Sequence, residues 1–263
     1  MYPYPLFGNF DLYWLFILVG VIAAFTFLRF YTAKLGIPAK LYNFLLLDGV
    51  ASVILGYMAA MLVQSIYHFI ATGVWSWTAG ATFYGGMIGG IAFFVLFYFL
   101  IGHFAFKDKI HIKHFLYTIS ACVIVIIVGH AFGRIGCLMD GCCYGIETTS
   151  WIGIHMYFDP EGVKRVPTQL IESLFLFALF GVLSYLLVIK KNEYVISMYL
   201  IAYGIFRFSI EFVRGDNERG SIGAQHLWPS QVIAIAMIVI GVALIFVYKF
   251  FLRNKLMKNN EEE

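Results

Sequence analysis

Residues 129–145 read GHAFGRIGCLMDGCCYG, and the rest of the chain is organised around them. They follow the apolar run 119–128, which is typical of the body of a membrane helix. His130 and Arg134 are four residues apart and would share one face of that helix. A cation at membrane depth is costly, so Arg134 indicates a functional site. The glycines around it allow close backbone approach, and they predict a glycine-rich loop that wraps an anionic group.

The composition is that of a polytopic membrane protein. Of the 263 residues, 61% are hydrophobic and 13% charged, against about 25% charged in a soluble domain. The net charge of +3 comes with no basic patch among aromatics, so nucleic-acid binding is not expected. The sequence predicts an all-α fold with one transmembrane domain, 1–263. A span needs about 20 mostly apolar residues, and seven are expected, at 12–31, 43–66, 80–102, 115–134, 168–189, 194–213 and 229–251.

The distribution of basic residues predicts the orientation in the membrane. If the N-terminus is outside, 12 of the 18 lysines and arginines lie on the inner side. Cytoplasmic loops carry an excess of these residues. We therefore expect the N-terminus outside and the C-terminus inside, with the long loop 135–167 between spans four and five facing outward.

Arg207, Glu211 and Arg214 are the second strong signal, because they stand at i, i+4 and i+7 in the sixth span. On a helix they would share one face over about 10 Å. Two arginines around a carboxylate can clamp a lipid phosphate, with Glu211 orienting one of them. The alternative is a buried charge network that only stabilises the helix bundle.

Two further segments carry patterns near the ends of spans. The third span begins GATFYGGMIGG at 80–90, and its glycines indicate either a helix-packing seam or an opening in an active-site wall. Gln169 and Glu172 open the fifth span on one helix face. A carboxylate there should face protein rather than lipid, and either structural pairing or catalysis would explain it.

Together these segments resemble the prolipoprotein diacylglyceryl transferase family. Residues 133–145 are similar to its GRxGNxxxGxxxG signature, 84–89 to HGGLxG, 165–172 to RxPSQLYE, and 203–214 to YGxxRxxxEFxR. The order and spacing agree over most of 80–245. Two departures bear on the chemistry, since Tyr84 stands at the family's histidine and Cys137 at its asparagine.

The resemblance implies a transferase that moves a diacylglyceryl group from phosphatidylglycerol, or a related phospholipid, to a thiol. The acceptor would be a lipobox-containing preprotein or another thiol, and glycerol phosphate would be released. It implies a multi-pass protein of the bacterial plasma membrane, with its active site facing the outer leaflet and with no cofactor or metal. The expected substrate-binding residues are Arg214, Gly85, Gly86, Gly133, Gly136, Cys137, Gly141, Gly145, Gln169 and Glu172.

The expected catalytic residues are Arg134, Arg207, Glu211, His130 and Tyr84. A phenol with an ordinary pKa of about 10 is a poor resting base, so Tyr84 does not replace the family's histidine. His130, one helical turn from Arg134, is the nearest substitute base. If no residue takes that role, the alternative function is a non-enzymatic phospholipid-binding or lipid-transport protein that keeps the arginine clamp.

Three of the four cysteines, Cys137, Cys142 and Cys143, crowd the end of the fourth span. Beside a cation they are compatible with structural thiols, a disulfide from Cys137 to one of the other two, or a nucleophilic thiolate. A metal site shared with His130 or His155 is a further alternative. Cys122 lies in mid-span and is expected to be a small core residue.

Overall fold

A computed structural model describes residue 4 and residues 10–215 and 228–252, and at residues 83, 84, 251 and 252 it describes the backbone alone. Within these residues, seven helices are long and apolar enough to cross a membrane, which confirms the all-α, seven-span prediction. The helices are α1 (Leu12–Lys34), α2 (Ala39–Thr72), α3 (Phe83–Ala105), the short α4 (Ile110–Lys113), α5 (Phe115–Asp140), α6 (Thr168–Val188), α7 (Val195–Ile210) and α8 (Pro229–Val247).

The chain forms two compact units. One contains Thr32–Thr118, and the other contains Met1–Tyr31 together with Ile119–Glu263. The expected single domain, like the expected orientation of the termini, stays a prediction.

In the unit Thr32–Thr118, a glycine seam packs α3 directly on α2. A Cβ atom at Gly56 would lie 3.0 Å from the carbonyl oxygen of Gly86 and 3.0 Å from the Cα of Gly90. A Cβ at Gly86 would in turn meet that of Ala60 at 3.3 Å. Small residues at such spacing let two helix backbones approach closely. These contacts support the helix-packing alternative for the glycines of 85–90, and an opening for lipid at this seam stays a prediction.

In the other unit, α5 continues six residues beyond the predicted end of its span, to Asp140. Gly133 and Gly136 are therefore helical, and the predicted glycine-rich loop does not begin until Gly141. Both face α1: a Cβ at Gly136 would lie 3.2 Å from the carbonyl oxygen of Tyr13, and one at Gly133 would lie 3.7 Å from Ile17. The contact with α1 explains these two glycines by helix packing.

After α5 the chain reverses at Gly141 and Cys143, which have φ values of 79° and 62°. It then pairs with the segment before α6 and the one after α7, through isolated bridges that include Gly145 with Arg214. A Cβ at Gly145 would lie 2.6 Å from the carbonyl oxygen of Val166 and 2.8 Å from that of Val213. Gly145 is thus required by the close approach of three backbone segments.

Polar bonds hold the start of α6 against the end of α5. The Thr168 hydroxyl donates to the Cys143 carbonyl at 2.8 Å, and the Gln169 amide donates to the Cys142 carbonyl at 2.6 Å. One turn later, the Ser173 hydroxyl donates to the Ala131 carbonyl at 3.0 Å. These bonds fix the position of α6 along residues 129–145.

The sixth membrane span ends at Val213, as the sequence predicts, but its winding changes in the last turn. The α7 helix stops at Ile210 and tightens into the 3₁₀ turn Glu211–Val213. Arg214 is then extended, with φ −77° and ψ 140°, because its backbone pairs with Gly145. The prediction that Arg207, Glu211 and Arg214 share one helix face is wrong for Arg214.

Candidate active site

The carboxylate of Glu172 is the centre of a polar cluster between three membrane helices. Glu172 is only 2% exposed, which confirms that it faces protein. Its Oε2 lies 3.0 Å from the Nε of Arg134 on α5, and its Oε1 accepts a 2.8 Å hydrogen bond from the Tyr203 hydroxyl on α7. A buried carboxylate needs both a cation and hydrogen bonds to offset its desolvation. Glu172 receives them from the helices on either side.

His130 lies beside this pair. Its Nε2 accepts a 3.3 Å hydrogen bond from the Arg134 Nε and is 3.7 Å from the Glu172 Oε1. Its ring meets that of Tyr203 edge-on, with the centroids 5.5 Å apart. A ring nitrogen that accepts a hydrogen bond carries no proton, so the proton of a neutral ring is on Nδ1. The lone pair of Nε2 is thus occupied by Arg134 in this arrangement.

Arg207 has an unused hydrogen-bond donor. Its Nη2 lies 2.9 Å from the Glu211 Oε2, in an ion pair that spans one helical turn. Its Nη1 is buried and has no hydrogen-bond partner within the described residues. Burying a guanidinium N–H without an acceptor costs free energy. An anionic ligand would accept a hydrogen bond from this N–H and so remove that cost.

The charges of Arg134 and Arg207 both act on Glu172 and on His130. One connected group therefore joins α5, α6, α7 and the 3₁₀ turn that follows α7. We call it the arginine cluster, and its members are His130, Arg134, Glu172, Tyr203, Arg207 and Glu211. Its two guanidinium charges are balanced by two carboxylates, so it can bind a further anion only by using donors that remain open.

Three thiols lie at the end of α5, at the edge of this cluster. The sulfur atoms of Cys137, Cys142 and Cys143 lie within 4.8 Å of one another, and within the described residues no cysteine forms a disulfide. The pKa of the Cys143 thiol lies well below its usual value. The Cys137 and Cys142 thiols donate hydrogen bonds to it, and the charges of Arg134 and Arg214 act on it. We call these three residues the cysteine turn.

A family model described as prolipoprotein diacylglyceryl transferase matches residues 6–247. This chain belongs to the prolipoprotein diacylglyceryl transferase family.

Several curated relatives agree with this assignment. The phosphatidylglycerol–prolipoprotein diacylglyceryl transferase 2 of Clostridium perfringens is 40% identical over 169 residues, which cover 63% of this chain and 61% of that protein. The enzyme of the same name from Aeromonas hydrophila is 32% identical over 231 residues, covering 83% of this chain and 77% of its own length. That of Dehalococcoides mccartyi is 27% identical over 247 residues, covering 90% and 88%.

The match to the first of these relatives thus spans about three fifths of its length.

In this family member the structure brings together five of the residues that the sequence singled out: His130, Arg134, Glu172, Arg207 and Glu211. Arg214 lies apart from the α7 helix, and its charge acts on Cys143. Gln169 contributes its amide to the cysteine turn, and its Oε1 is buried without a hydrogen-bond donor within the described residues. Gly141 and Gly145 shape the backbone of that turn.

Sequence reasoning missed the role of Tyr203. Its signal was present, because it stands one helical turn before Arg207 and opens the YGxxR motif.

The side chain of Tyr84 lies outside the described residues, so its predicted catalytic role stays a prediction. Gly85 and Gly86 lie in the other compact unit, at the α2–α3 seam.

Proposed function

We propose that this protein is a diacylglyceryl transferase. It would move a diacylglyceryl group from phosphatidylglycerol, or a related phospholipid, to the cysteine thiol of a lipobox-containing preprotein. Family membership supports the class of reaction. The single observation that carries the assignment to this site is the buried Nη1 of Arg207, which has no hydrogen-bond partner among the residues that the structure describes, because a lipid phosphate would supply the missing acceptor.

The proposed location is the bacterial plasma membrane, with the N-terminus outside, the C-terminus inside and the site open to the outer leaflet. Seven membrane-length helices and bacterial relatives support a multi-pass membrane protein. The excess of lysine and arginine on the predicted inner side supports the orientation.

In the proposed reaction, the sulfur of the acceptor thiol forms a bond to the terminal glycerol carbon of the diacylglyceryl group. The bond from that carbon to the phosphate oxygen breaks, and glycerol phosphate leaves with the electron pair. The Nη1–H of Arg207 would donate a hydrogen bond to the phosphate oxygen on which negative charge develops. Fixed donors stabilise such charge most strongly in a site that excludes water. Glu211 would keep the guanidinium in place through its ion pair with Nη2.

Arg134 would provide the second cation. Glu172 pairs with it, and the Tyr203 hydroxyl in turn holds the other oxygen of Glu172. His130 would take the thiol proton, and this requires the Arg134 Nε–H to turn away from Nε2, since that lone pair is occupied. A phosphate that accepts a hydrogen bond from Arg134 would break the bond from Arg134 to His130. The lone pair of Nε2 would then be free to take the thiol proton.

The test is an assay with the full chain in phosphatidylglycerol nanodiscs and a peptide carrying a lipobox cysteine. Labelled head group released as glycerol phosphate, in step with lipid appearing on the peptide, is the expected result. Saturable phospholipid binding without release would reject the transferase and favour the lipid-binding alternative.

A further inference from the structure

The cysteine turn has the dimensions of a metal site. A Zn–S bond of about 2.3 Å in tetrahedral geometry places thiolate sulfurs about 3.8 Å apart. The three sulfur atoms here are already within 4.8 Å of one another and half-buried. Closing the set around one ion therefore needs movements of about 1 Å or less.

The backbone holds this arrangement in place. The N–H groups of Gly141 and Cys142 donate to the Cys137 carbonyl at 3.0 and 3.1 Å, which folds the chain back over the end of α5. The carbonyls of Cys142 and Cys143 are held by Gln169 and Thr168 on α6. Cys143 adopts φ 62°, which few residues other than glycine adopt, and such conformations concentrate at functional sites.

The charges also suit a metal thiolate. Three thiolates and one divalent cation carry a net charge of −1. The guanidinium of Arg134 acts on Cys137 and Cys143, and that of Arg214 acts on Cys143. Because Glu172 already balances Arg134, Arg214 is the cation that can offset the net charge of the metal thiolate.

The number of ligands indicates an open site. Among the described residues, no histidine or carboxylate joins the group of three sulfurs, and His155 instead bonds the Val163 carbonyl through Nδ1. Structural zinc sites have four protein ligands, whereas sites that bind a substrate have three and an open position. Thiolates select soft cations such as Zn²⁺ over Mg²⁺ or Ca²⁺.

We propose that Cys137, Cys142 and Cys143 bind one Zn²⁺ ion through three thiolates, with the fourth position open to an external thiol. The second part rests on the proposed function, because the acceptor cysteine is such a thiol. A thiol bound to zinc loses its proton, which passes to His130, the base of the proposed reaction. Its sulfur then forms the bond to carbon as the bond to the phosphate oxygen breaks, and no oxidant or reductant is needed.

The first experiment measures metal content without any phospholipid substrate. The full chain in detergent, reduced with a phosphine, is dialysed against Zn²⁺ and then against metal-free buffer. We expect about one zinc per chain, as for a single site, and at least about tenfold weaker binding in Cys137→Ser, Cys142→Ser and Cys143→Ser. Cys122→Ser, in mid-α5, is the matched control and should bind as the wild type does. Equal zinc binding by the triple serine variant, or none by the wild type, would overturn the site.

The second experiment needs no variant and so does not depend on how serine substitutions fold. Co²⁺ replaces Zn²⁺ in the wild-type chain, and a cysteine-containing lipobox peptide is added. Tetrahedral cobalt with sulfur-to-metal charge transfer is expected, and that absorption should rise by about a third as four thiolates replace three. A spectrum without sulfur ligation contradicts the site, and an unchanged spectrum with the peptide contradicts the open position.

These outcomes separate the two proposals. Zinc binding with no lipid transfer would reject the proposed function and keep the metal site. Full transfer by the triple serine variant would reject thiol activation by zinc and keep the transferase. A disulfide between Cys137 and Cys142 or Cys143 that persists under reductant and excludes zinc would also overturn the site.

Discussion

At the scale of single residues, Arg207 makes the sharpest prediction. Lysine keeps the charge but lacks the planar fork, so Arg207→Lys cannot both pair with Glu211 and donate to a phosphate in the same geometry. We expect the rate of diacylglyceryl transfer to fall about 10²- to 10³-fold, the usual loss when one fixed donor to a developing charge is removed. The measurement is initial rate at saturating peptide.

Arg29→Lys is the matched control, because Arg29 is an arginine on the membrane helix α1 outside the arginine cluster. Its transfer rate should match that of the wild type. Equal rates for Arg207→Lys and the control would show that Arg207 does not contact the phosphate.

Glu172 makes a prediction about stability. Glu172→Gln leaves the guanidinium of Arg134 buried without its carboxylate, and breaking a buried pair from one side costs about 3–5 kcal/mol. The free energy of unfolding in detergent should fall by that amount. Glu147→Gln is the control, since that side chain is 65% exposed in its ion pair with Arg165 and should change stability by about 1 kcal/mol or less. Similar effects from both substitutions would mean that Glu172 is not the structural centre of the cluster.

At the scale of secondary structure elements, the packing of α2 on α3 predicts that alanine substitutions at two glycines of α2 differ in their effect on stability. A Cβ at Gly56 meets the backbone of Gly86 and Gly90 at 3.0 Å, whereas a Cβ at Gly49 meets nothing within 4 Å. Gly56→Ala should destabilise the protein by about 1–3 kcal/mol through overpacking. Gly49→Ala should be neutral or slightly stabilising, because alanine favours the helix.

Thermal unfolding of the two variants in the same detergent checks this difference. A Gly56→Ala protein as stable as Gly49→Ala would show that the two helices do not pack at this distance.

Comparison of individual elements shows what the sequence could and could not predict. The membrane spans were predictable because a run of about 20 mostly apolar residues is long enough to cross the bilayer as a helix. The pairing of Arg207 with Glu211 was predictable because i, i+4 neighbours meet on a helix. The extension of α5 to Asp140 was not, because the glycines that suggested a loop are instead the surface that packs on α1.

The prediction that Arg214 shares the helix face of Arg207 and Glu211 was wrong for a different reason. The departure of Arg214 from the helix depends on backbone pairing with Gly145, a partner about 70 residues earlier that no local pattern reveals. The gathering of the three sulfurs likewise depends on bonds from α6 to the carbonyls of the cysteine turn. Both are tertiary effects on segments that read locally as helix or loop.

At the scale of the whole molecule, the orientation is open to a direct test. The excess of basic residues on one side predicts that the C-terminus is cytoplasmic. A reporter that is active only in the cytoplasm, fused after Glu263, should be active, and one fused before Met1 should not. An active periplasmic reporter at the C-terminus would reverse the orientation and place the arginine cluster toward the inner leaflet.

The central claim is that this chain alkylates a thiol with a diacylglyceryl group. The most direct measurement is the mass of a lipobox peptide after incubation with the purified full chain in phosphatidylglycerol nanodiscs. A matched peptide with serine in place of the cysteine serves as the control. We predict that the cysteine peptide gains the mass of one diacylglyceryl group while the serine peptide is unchanged. An unmodified cysteine peptide, from protein that is folded and binds phosphatidylglycerol, would contradict the account.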